Sequence, residues 1–459
     1  MKKETIAAIA TAMTNSGIGI VRVSGPEAFS IIQKIYQGKK KKDFSSIPTH
    51  TIHYGYIVDG EETIDEVLVM VMRGPQSFTG EDTIEINCHG GVFVVNKILD
   101  TVIRNGARPA EPGEFTKRAF LNGKMDLSQA EAVIDVIQSK NDYALKSSVS
   151  QLKGSVQKKI QEIRAEILYH TAFIETALDD PEHISVDGYS DQLKITVNNL
   201  LKQLDELLQS ANHGRIMKEG IQTVIVGKPN AGKSSLLNVL VGSDRAIVTD
   251  IAGTTRDILE ESIQLHGISL NVVDTAGIRN TEDAVEKIGV EKAKAHASEA
   301  DLVIYVVDAS RELDENDFDI MQMIQNKKAV ILLNKSDLKT VVTKDMLLSH
   351  LQEEKPMIEI SAKEERGIQE LEATLKNMFF EGEISFNDEI FITNMRQKAA
   401  LQDAYDSLMR VNESIENDMP EDFYSIDLLD AYESLGSITG DTIGEDLVNE
   451  IFSKFCMGK

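Results

Sequence analysis

The sequence predicts a multidomain protein of mixed α/β and α class, in which a helical bundle is interrupted by an inserted α/β domain. Three observations predict this class. A glycine-rich segment, Gly227–Ser234, lies between an apolar run and a helix-prone stretch, as in α/β proteins. Apolar residues recur at helical spacing on both sides of that region. Residues 1–120 instead mix short β-prone runs with one amphipathic helix, which is typical of an α+β domain.

The β-prone runs of this first domain span residues 18–23, 67–72 and 83–87, and its helix is expected around Val92–Asn105. The apolar stretch near the N-terminus loosely resembles a secretory signal. We reject that interpretation, because Glu4 interrupts the positive start and the stretch is short and rich in Ala and Thr.

Helical periodicity begins at Ser128 and continues to about Leu178, and a further helix is expected over residues 189–210, after which Gly214 to Gly220 leads into the inserted domain. The tail returns to helix near residues 394–416, 421–435 and 442–455. Amphipathic helices on both sides of an α/β domain must bury their apolar stripes, and one discontinuous bundle achieves this. We therefore expect domains at 1–120, 121–215, 216–382 and 383–459, of which the second and fourth are the two parts of the bundle.

The segment Gly227-Lys228-Pro229-Asn230-Ala231-Gly232-Lys233-Ser234 predicts a phosphate-binding loop. A triphosphate needs backbone N–H groups that converge on its phosphates, and a glycine turn at a helix N-terminus supplies them. Lys233 can then reach the β and γ phosphates, and Ser234 can bind Mg²⁺.

Three later motifs, each after an apolar strand, favour GTP as the nucleotide. Asp274-Thr275-Ala276-Gly277 can hold Mg²⁺ through water and meet the γ-phosphate. In Asn334-Lys335-Ser336-Asp337, the Asp337 carboxylate can accept two hydrogen bonds from guanine N1 and N2, which adenine cannot offer. Ser361-Ala362-Lys363 fits the loop that closes over the base. Four motifs in this order predict a P-loop GTPase domain of Ras-like α/β type.

The amino-acid composition restricts how the protein can bind nucleic acid and indicates its cellular location. The chain has 48 basic and 74 acidic residues, a net charge of −26, so nucleic acid must meet a local basic patch or arrive with a partner protein. It has two cysteines, Cys88 and Cys456, and no apolar run approaches the roughly 18 residues of a membrane span. We expect a reducing, cytoplasmic location and no membrane contact.

The residue after the Asp-x-x-Gly motif is Ile278, where Ras-like enzymes use glutamine to orient the attacking water. An aliphatic side chain cannot hydrogen-bond water, so another residue or a partner must do so. Glu282, Asp283 and Glu286 are candidates among which spacing does not choose. The loop 249–255 is rich in carbonyls and hydroxyls and lacks lysine, which suits a monovalent cation and Mg²⁺, and the Asn230 amide could ligate a cation beside the phosphates.

The chain resembles the bacterial and organellar family of tRNA-modification GTPases known as MnmE or TrmE. The resemblance covers essentially the whole chain and rests on five segments: Gly17–Arg22, Ser77–Asp82, Pro112–Phe115, Gly253–Asp257 and Phe455–Lys459. It implies a folate-binding-type N-terminal domain that dimerises, a helical domain, and an inserted GTPase domain that pairs with its copy across the switch regions when K⁺ is bound.

The resemblance also implies roles for individual residues. Glu286 would orient the attacking water through a second water. K⁺ would be held by Asn230, Thr249, Ile251 and Thr254, and Mg²⁺ by Ser234 and Thr255. With the motifs above, the expected GTP contacts are Asn230, Ala231, Gly232, Lys233, Ser234, Ser235, Thr249, Thr254, Thr255, Asp274, Thr275, Ala276, Gly277, Asn334, Lys335, Asp337, Ser361, Ala362 and Lys363.

For the first domain, the resemblance implies a reduced folate, 5-formyl- or 5,10-methylene-tetrahydrofolate, near Arg22, Glu85, Lys124 and Lys459. A pterin edge suits a carboxylate, and the glutamate tail of folate suits a basic side chain. The family further implies tRNA as substrate and a partner that resembles MnmG and uses FAD and NADH, in a heterotetramer or larger complex. A redox partner is needed because no G-x-G-x-x-G follows a predicted strand here. Cys456 is a candidate participant in the modification chemistry, whereas Cys88 and His89 point to opposite faces of a strand and are expected to be structural.

The expected function is therefore a K⁺-stimulated GTPase that, with its flavoprotein partner, installs an aminomethyl or carboxymethylaminomethyl group at C5 of the tRNA wobble uridine. Two alternatives stay open. A ribosome-assembly GTPase would share Ile278 but should carry a basic RNA-binding appendage with a G-x-x-G loop, which we do not find. A stand-alone folate-dependent aminomethyltransferase would leave the GTPase unit without a role.

Overall fold

The computed structural model describes residues 4–180, 182–184, 188–242, 260–265, 268–273, 300–379, 392–455 and 458. The chain forms two compact units. Unit 1 contains Met1–Ile137, Val149–Leu201 and Asp403–Lys459, and unit 2 contains Gln138–Ser148 and Lys202–Gln402. Both sheets and helices are present, which confirms the predicted mixed class.

Unit 1 begins with a seven-stranded sheet in the order β3-β4-β5-β6-β2-β1-β7. The strands are β1 (Ile6–Ile9), β2 (Ser16–Ser24), β3 (Tyr36–Gln37), β4 (Thr51–Asp59), β5 (Glu62–Met72), β6 (Thr83–Gly90) and β7 (Arg108–Pro109). All three predicted β-prone runs lie in strands, and helix α2 (Val92–Arg104) is where helical periodicity predicts it. Helices α1 (Ala28–Ile35) and α2 share an apolar core with the strands, because each helix buries one stripe of aliphatic residues.

The N-terminal apolar stretch forms strand β1 in the interior of this sheet. It pairs antiparallel with β2 and parallel with β7, and the Ile6 side chain is fully buried. Its apolar character therefore reflects burial in a sheet.

Five helices follow: α3 (Glu114–Leu121), α4 (Leu127–Gln138), α5 (Asp142–Leu152), α6 (Ser155–Asp179) and α7 (Tyr189–Glu219). The predicted end of this helix at Ser210 was wrong, since α7 continues through Gly214 to Glu219. Glycine is needed at position 214 because a Cβ there would overlap the Ile392 carbonyl, and the helix ends before Gly220, which has a positive φ of 92°.

Unit 2 contains a six-stranded sheet in the order β13-β12-β11-β8-β10-β9. The strands are β8 (Ile221–Val226), β9 (Glu260–Leu265), β10 (Ile268–Val273), β11 (Leu302–Asp308), β12 (Ala329–Asn334) and β13 (Met357–Glu359). All neighbours pair in parallel except β9 and β10. The helices are α8 (Lys233–Gly242), α9 (Glu315–Met323), α10 (Lys344–Leu348) and α11 (Ile368–Phe379). Since the carboxyl ends of parallel strands meet at one edge, the segments after β8 and β12 are brought together there.

The tail forms α12 (Met395–Glu416), α13 (Glu421–Thr439) and α14 (Glu445–Ser453), as predicted. Within unit 1, α14 packs on α4 through an apolar cluster of Leu127, Ala130, Val448, Phe452 and Phe455. No helix in the described parts of the chain is long and apolar enough to cross a membrane.

Candidate functional site

The segment between β8 and α8 is a tight loop with left-handed backbone at three positions. The φ angles are 152° at Gly227, 61° at Asn230 and 102° at Gly232. A Cβ on Gly227 would overlap the Val306 carbonyl, and one on Gly232 would overlap the Asn334 amide. Glycine is therefore required at both positions, for conformation as well as for space.

The Lys233 ammonium is held by the loop itself. Its Nζ donates to the carbonyl oxygens of Gly227 and Lys228, each at 2.7 Å. Burial lowers the pKa of Lys233. A part-buried ammonium whose hydrogen bonds, among the described residues, go to neutral carbonyls is well suited to bind phosphate oxygens instead.

Asn334 joins three of the predicted motifs. Its side chain is almost fully buried, its Nδ2 donates to the Ala231 carbonyl at 2.8 Å, and its Oδ1 accepts from the Ala362 N–H at 3.1 Å. The phosphate loop, the Asn334–Asp337 segment and the Ser361–Lys363 loop therefore form one site.

Lys335 is fixed by a carboxylate at the end of β11. Its Nζ lies 2.6 Å from Asp308 Oδ2. Burial raises the pKa of Asp308, but hydrogen bonds from Lys335 and Ser310 outweigh this and hold the pKa below its usual range. Asp308 thus stays ionised and anchors Lys335, whose backbone has a φ of 66°.

Asp337 is prepared as a charged acceptor. The Ser361 hydroxyl donates to its Oδ1 at 2.8 Å, and this hydrogen bond is the main reason that the Asp337 pKa lies below its usual value. An ionised carboxylate is the group that accepts two hydrogen bonds from guanine. Lys363, beyond Ser361 and the buried Ala362, is exposed.

Several of the predicted nucleotide and metal residues lie outside the described residues: Thr249, Ile251, Thr254, Thr255, Asp274, Thr275, Ala276, Gly277 and the proposed catalytic Glu286. The other predicted nucleotide and metal residues lie within the three motifs that Asn334 joins or directly after the first of them. They are Asn230, Ala231, Gly232, Lys233, Ser234, Ser235, Asn334, Lys335, Asp337, Ser361, Ala362 and Lys363.

In unit 1, the structure pairs two of the predicted folate residues. Arg22 on β2 is directly opposite Glu85 on β6, and Arg22 Nε lies 2.8 Å from Glu85 Oε1. The Arg22 guanidinium also packs over the Phe78 and Phe115 rings, with centroid distances of 5.7 and 5.6 Å. Arg22 Nη1 donates to the Gly458 carbonyl at 3.2 Å, which brings the end of the described chain to this pair.

Lys124 makes a different contact, since its Nζ donates to the Pro75 carbonyl at 2.9 Å, and its alkyl chain lies beside Gly80. Lys459 and Cys456 lie outside the described residues.

Cys88 and His89 lie on opposite faces of β6, as predicted. Burial is the main cause that raises the pKa of the Cys88 thiol to about 11. His89 is exposed and pairs with Asp65 at 2.7 Å. The two side chains therefore do not form a nucleophile and base.

Sequence reasoning missed the residues that support these sites. Asp308 has no motif signal that separates it from other strand-end carboxylates. Phe78 and Phe115 lie inside two segments that carry the family resemblance, and their place in those segments could have identified them as site residues. In the same segments, Glu81 and Glu114 form ion pairs with Arg118 at 3.0 and 2.9 Å. Some residues of the family segments therefore stabilise the fold.

Comparison with known proteins identifies the family of the chain. A family model described as the GTP-binding protein TrmE N-terminus matches residues 5–124, and one described as the MnmE helical domain matches residues 127–456. The chain is 59% identical over 460 residues to the tRNA modification GTPase MnmE of Lachnoclostridium phytofermentans, with 100% of both chains covered. It is 50% identical over 460 residues to that of Acetivibrio thermocellus, again with 100% of both covered, and 48% identical over 456 residues to that of Clostridioides difficile, with 99% of each covered. The chain therefore belongs to the MnmE family of tRNA modification GTPases.

Proposed function

We propose that this protein is a K⁺-stimulated GTP hydrolase that acts, with a flavoprotein partner, in the modification of the tRNA wobble uridine at C5. The observation that carries the nucleotide part is the buried Asn334 side chain, which joins the phosphate loop to the base-binding motifs. The four-motif order and the family membership support hydrolysis of GTP. The partner would resemble MnmG and supply FAD and NADH chemistry.

Among the described residues, one group would bind the guanine base of GTP and another its phosphates. Asp337, oriented by Ser361, would accept from guanine N1 and N2, while Ala362 and Lys363 lie in the loop expected to close over the base. Lys233 would leave the carbonyls of Gly227 and Lys228 and bind the phosphates.

Among the described residues, Asn230 offers a donor for the proposed K⁺. Asn230 has an exposed side chain on a left-handed backbone, so its amide oxygen is available to a cation. K⁺ would be held by Asn230 with Thr249, Ile251 and Thr254, and Mg²⁺ by Ser234 and Thr255. K⁺ would supply positive charge at the position that an arginine finger occupies in other GTPases, while Mg²⁺ would neutralise charge on the phosphates.

Measuring GTP turnover in potassium against sodium, at equal ionic strength, tests the central proposal. We expect turnover at least about tenfold faster in potassium, because a missing charge at the phosphates costs roughly this much or more. Equal rates in the two salts would refute the K⁺-dependent dimer mechanism.

Glu286 is the proposed water-orienting residue. Replacing it by alanine should leave GTP binding intact while hydrolysis falls at least about a hundredfold, because it would act only on the attacking water. Glu282→Ala is the matched control, expected to keep most of the activity. If the two outcomes are exchanged, Glu282 holds the role.

The pair of Arg22 and Glu85, in which the Arg22 guanidinium lies over the Phe78 and Phe115 rings, supports a reduced folate as the one-carbon donor. Glu85 would meet the pterin edge, and Lys124 or Lys459 would meet the glutamate tail. Calorimetry of the intact chain with 5-formyl-tetrahydrofolate tests this. Arg22→Gln should abolish measurable heat while Lys97→Gln, on helix α2 and paired with Glu62, should not.

Membership of the family also supports a proposal for the oligomeric state and the partners. We propose a homodimer through the N-terminal domains, located in the cytoplasm, in a heterotetramer or larger complex with the flavoprotein, with tRNA as substrate. GTP hydrolysis would drive opening and closing of the GTPase domains, and folate would supply the carbon for an aminomethyl or carboxymethylaminomethyl group. A pull-down of the partner with and without GTP tests whether nucleotide controls this assembly, and equal recovery would refute that control.

A further inference from the structure

Lys228, the second residue of the phosphate loop, carries an ammonium group that the proposed function does not use. Its Nζ lies 2.6 Å from Asp317 Oδ2 and 3.0 Å from Asp314 Oδ2. Both carboxylates belong to the start of α9, where Asp314 is the N-cap residue. The first limb of the loop is therefore tied by a side chain to a neighbouring helix.

The Asp317 carboxylate is a rigid anchor because it is buried and its oxygens are occupied. It is 1% exposed, its Oδ1 accepts from the Tyr305 hydroxyl at 2.8 Å, and its Oδ2 also accepts from the Asp314 N–H at 3.0 Å. Tyr305 is fully buried on β11, and burial raises its pKa, so the phenol stays protonated as a donor. A charge pair in such a site is held more firmly than one in water.

The backbone of the same residue holds the phosphate-binding lysine. Lys233 Nζ donates to the carbonyls of Gly227 and Lys228, and Gly227 is packed against the Val306 carbonyl of β11. The position of residue 228 therefore sets where the Lys233 ammonium lies before the phosphates arrive.

We propose that Lys228 is a positioning residue for nucleotide binding. Through Asp317 and Tyr305, it holds the first limb of the phosphate loop in its binding conformation, so that Lys233 only exchanges carbonyl acceptors for phosphate oxygens. This inference rests on the proposed binding of GTP. The side chains of Lys228, Asp317 and Tyr305 would act on the loop and not on a reacting atom. Replacing them should therefore weaken the affinity for both GDP and GTP and leave kcat little changed.

Titration with a fluorescent GDP analogue and steady-state turnover of GTP in potassium test the proposal in the full chain. We expect Lys228→Met to weaken GDP binding by about 10- to 50-fold and to raise KM similarly, with kcat within about threefold of wild type. Lys228→Arg, which keeps the charge and the reach to Asp317, should restore affinity to within about threefold. Lys355→Met is the matched control, because Lys355 pairs with Glu353 at 3.0 Å in the same unit and has no contact with the loop.

Two further variants keep the test decisive if Lys228→Met fails to fold, because that change leaves the Asp317 charge buried without its ammonium. The double variant Lys228→Met, Asp317→Asn removes both charges, and Tyr305→Phe removes only one hydroxyl. We expect at least tenfold weaker GDP binding for the double variant and about two- to fivefold for Tyr305→Phe, at thermal stability near that of wild type. Wild-type affinity in both folded variants would overturn the positioning role. Failure of the wild-type chain to bind GTP would instead refute the proposed function itself.

Discussion

Gly232 and Asn334 lie so close together that residue 232 has no room for a side chain. The contact exists because Asn334, at the end of β12, crosses to the phosphate loop to donate to Ala231. At the scale of single residues, the site is therefore built by close backbone approach and one buried amide.

The variant Gly232→Ala tests this contact. Strain at a φ of 102° and overlap with Asn334 together cost about 1–3 kcal/mol, so we expect GTP affinity to fall by roughly 10- to 100-fold. Equilibrium binding of a fluorescent GTP analogue measures the change. Gly242→Ala is the control, since a Cβ at Gly242 meets nothing within 4 Å, and wild-type binding by both variants would contradict the prediction.

Cys88 offers a second test at this scale. With a pKa of about 11, the thiolate is about 0.1% of the thiol at pH 8, against about a quarter for an ordinary cysteine of pKa about 8.5. In a Cys456→Ser variant, we expect the remaining Cys88 to react with a thiol reagent at least about 100-fold more slowly in the native protein than in urea. Equal rates in the two conditions would show that the thiol is accessible and ionised.

At the scale of elements, the C-terminal helix α14 matters for how the end of the chain is placed. Phe452 lies 6.2 Å from the Phe120 ring and 5.0 Å from the Phe455 ring, centroid to centroid, and is 1% exposed. Beyond the helix, the Gly458 carbonyl accepts from Arg22. Packing of α14 therefore brings the tail to the paired Arg22 and Glu85.

Shortening the Phe452 side chain tests how far the packing of α14 contributes to stability. We expect Phe452→Ala to lower the free energy of unfolding of unit 1 by about 3–5 kcal/mol, because it leaves a cavity in the cluster with Leu127 and Val448. Urea unfolding followed by circular dichroism measures it. Leu447→Ala on the same helix is 43% exposed and should cost less than about 1 kcal/mol, so equal losses would argue against the packing account.

The whole molecule carries a net charge of −26, which opposes binding of a polyanion. We expect the chain alone to bind tRNA weakly, with a shallow dependence of affinity on salt, because few phosphates would be neutralised. Addition of the flavoprotein partner should strengthen binding by at least about tenfold if the partner supplies the basic surface. Filter binding at two salt concentrations measures both quantities. Tight, steeply salt-dependent binding by the chain alone would contradict the expectation.

Sequence alone determined the mixed class, the strands and helices with clear periodicity, and the nucleotide motifs. These features are local: a glycine turn between a strand and a helix is fixed by neighbouring residues, as at Gly227 and Gly232, and a 3.6-residue period is visible in any short window. The same reasoning ended α7 at Ser210, whereas the helix continues through Gly214, where a Cβ would overlap the Ile392 carbonyl.

Only the tertiary structure decided which distant side chains meet. It paired Lys335 with Asp308, Lys228 with Asp317, and Arg22 with Glu85 and the Gly458 carbonyl. Each of these contacts joins different elements, so it depends on strand order, register and helix packing. Those arise from burial summed over the whole unit, and no local pattern in the chain records them.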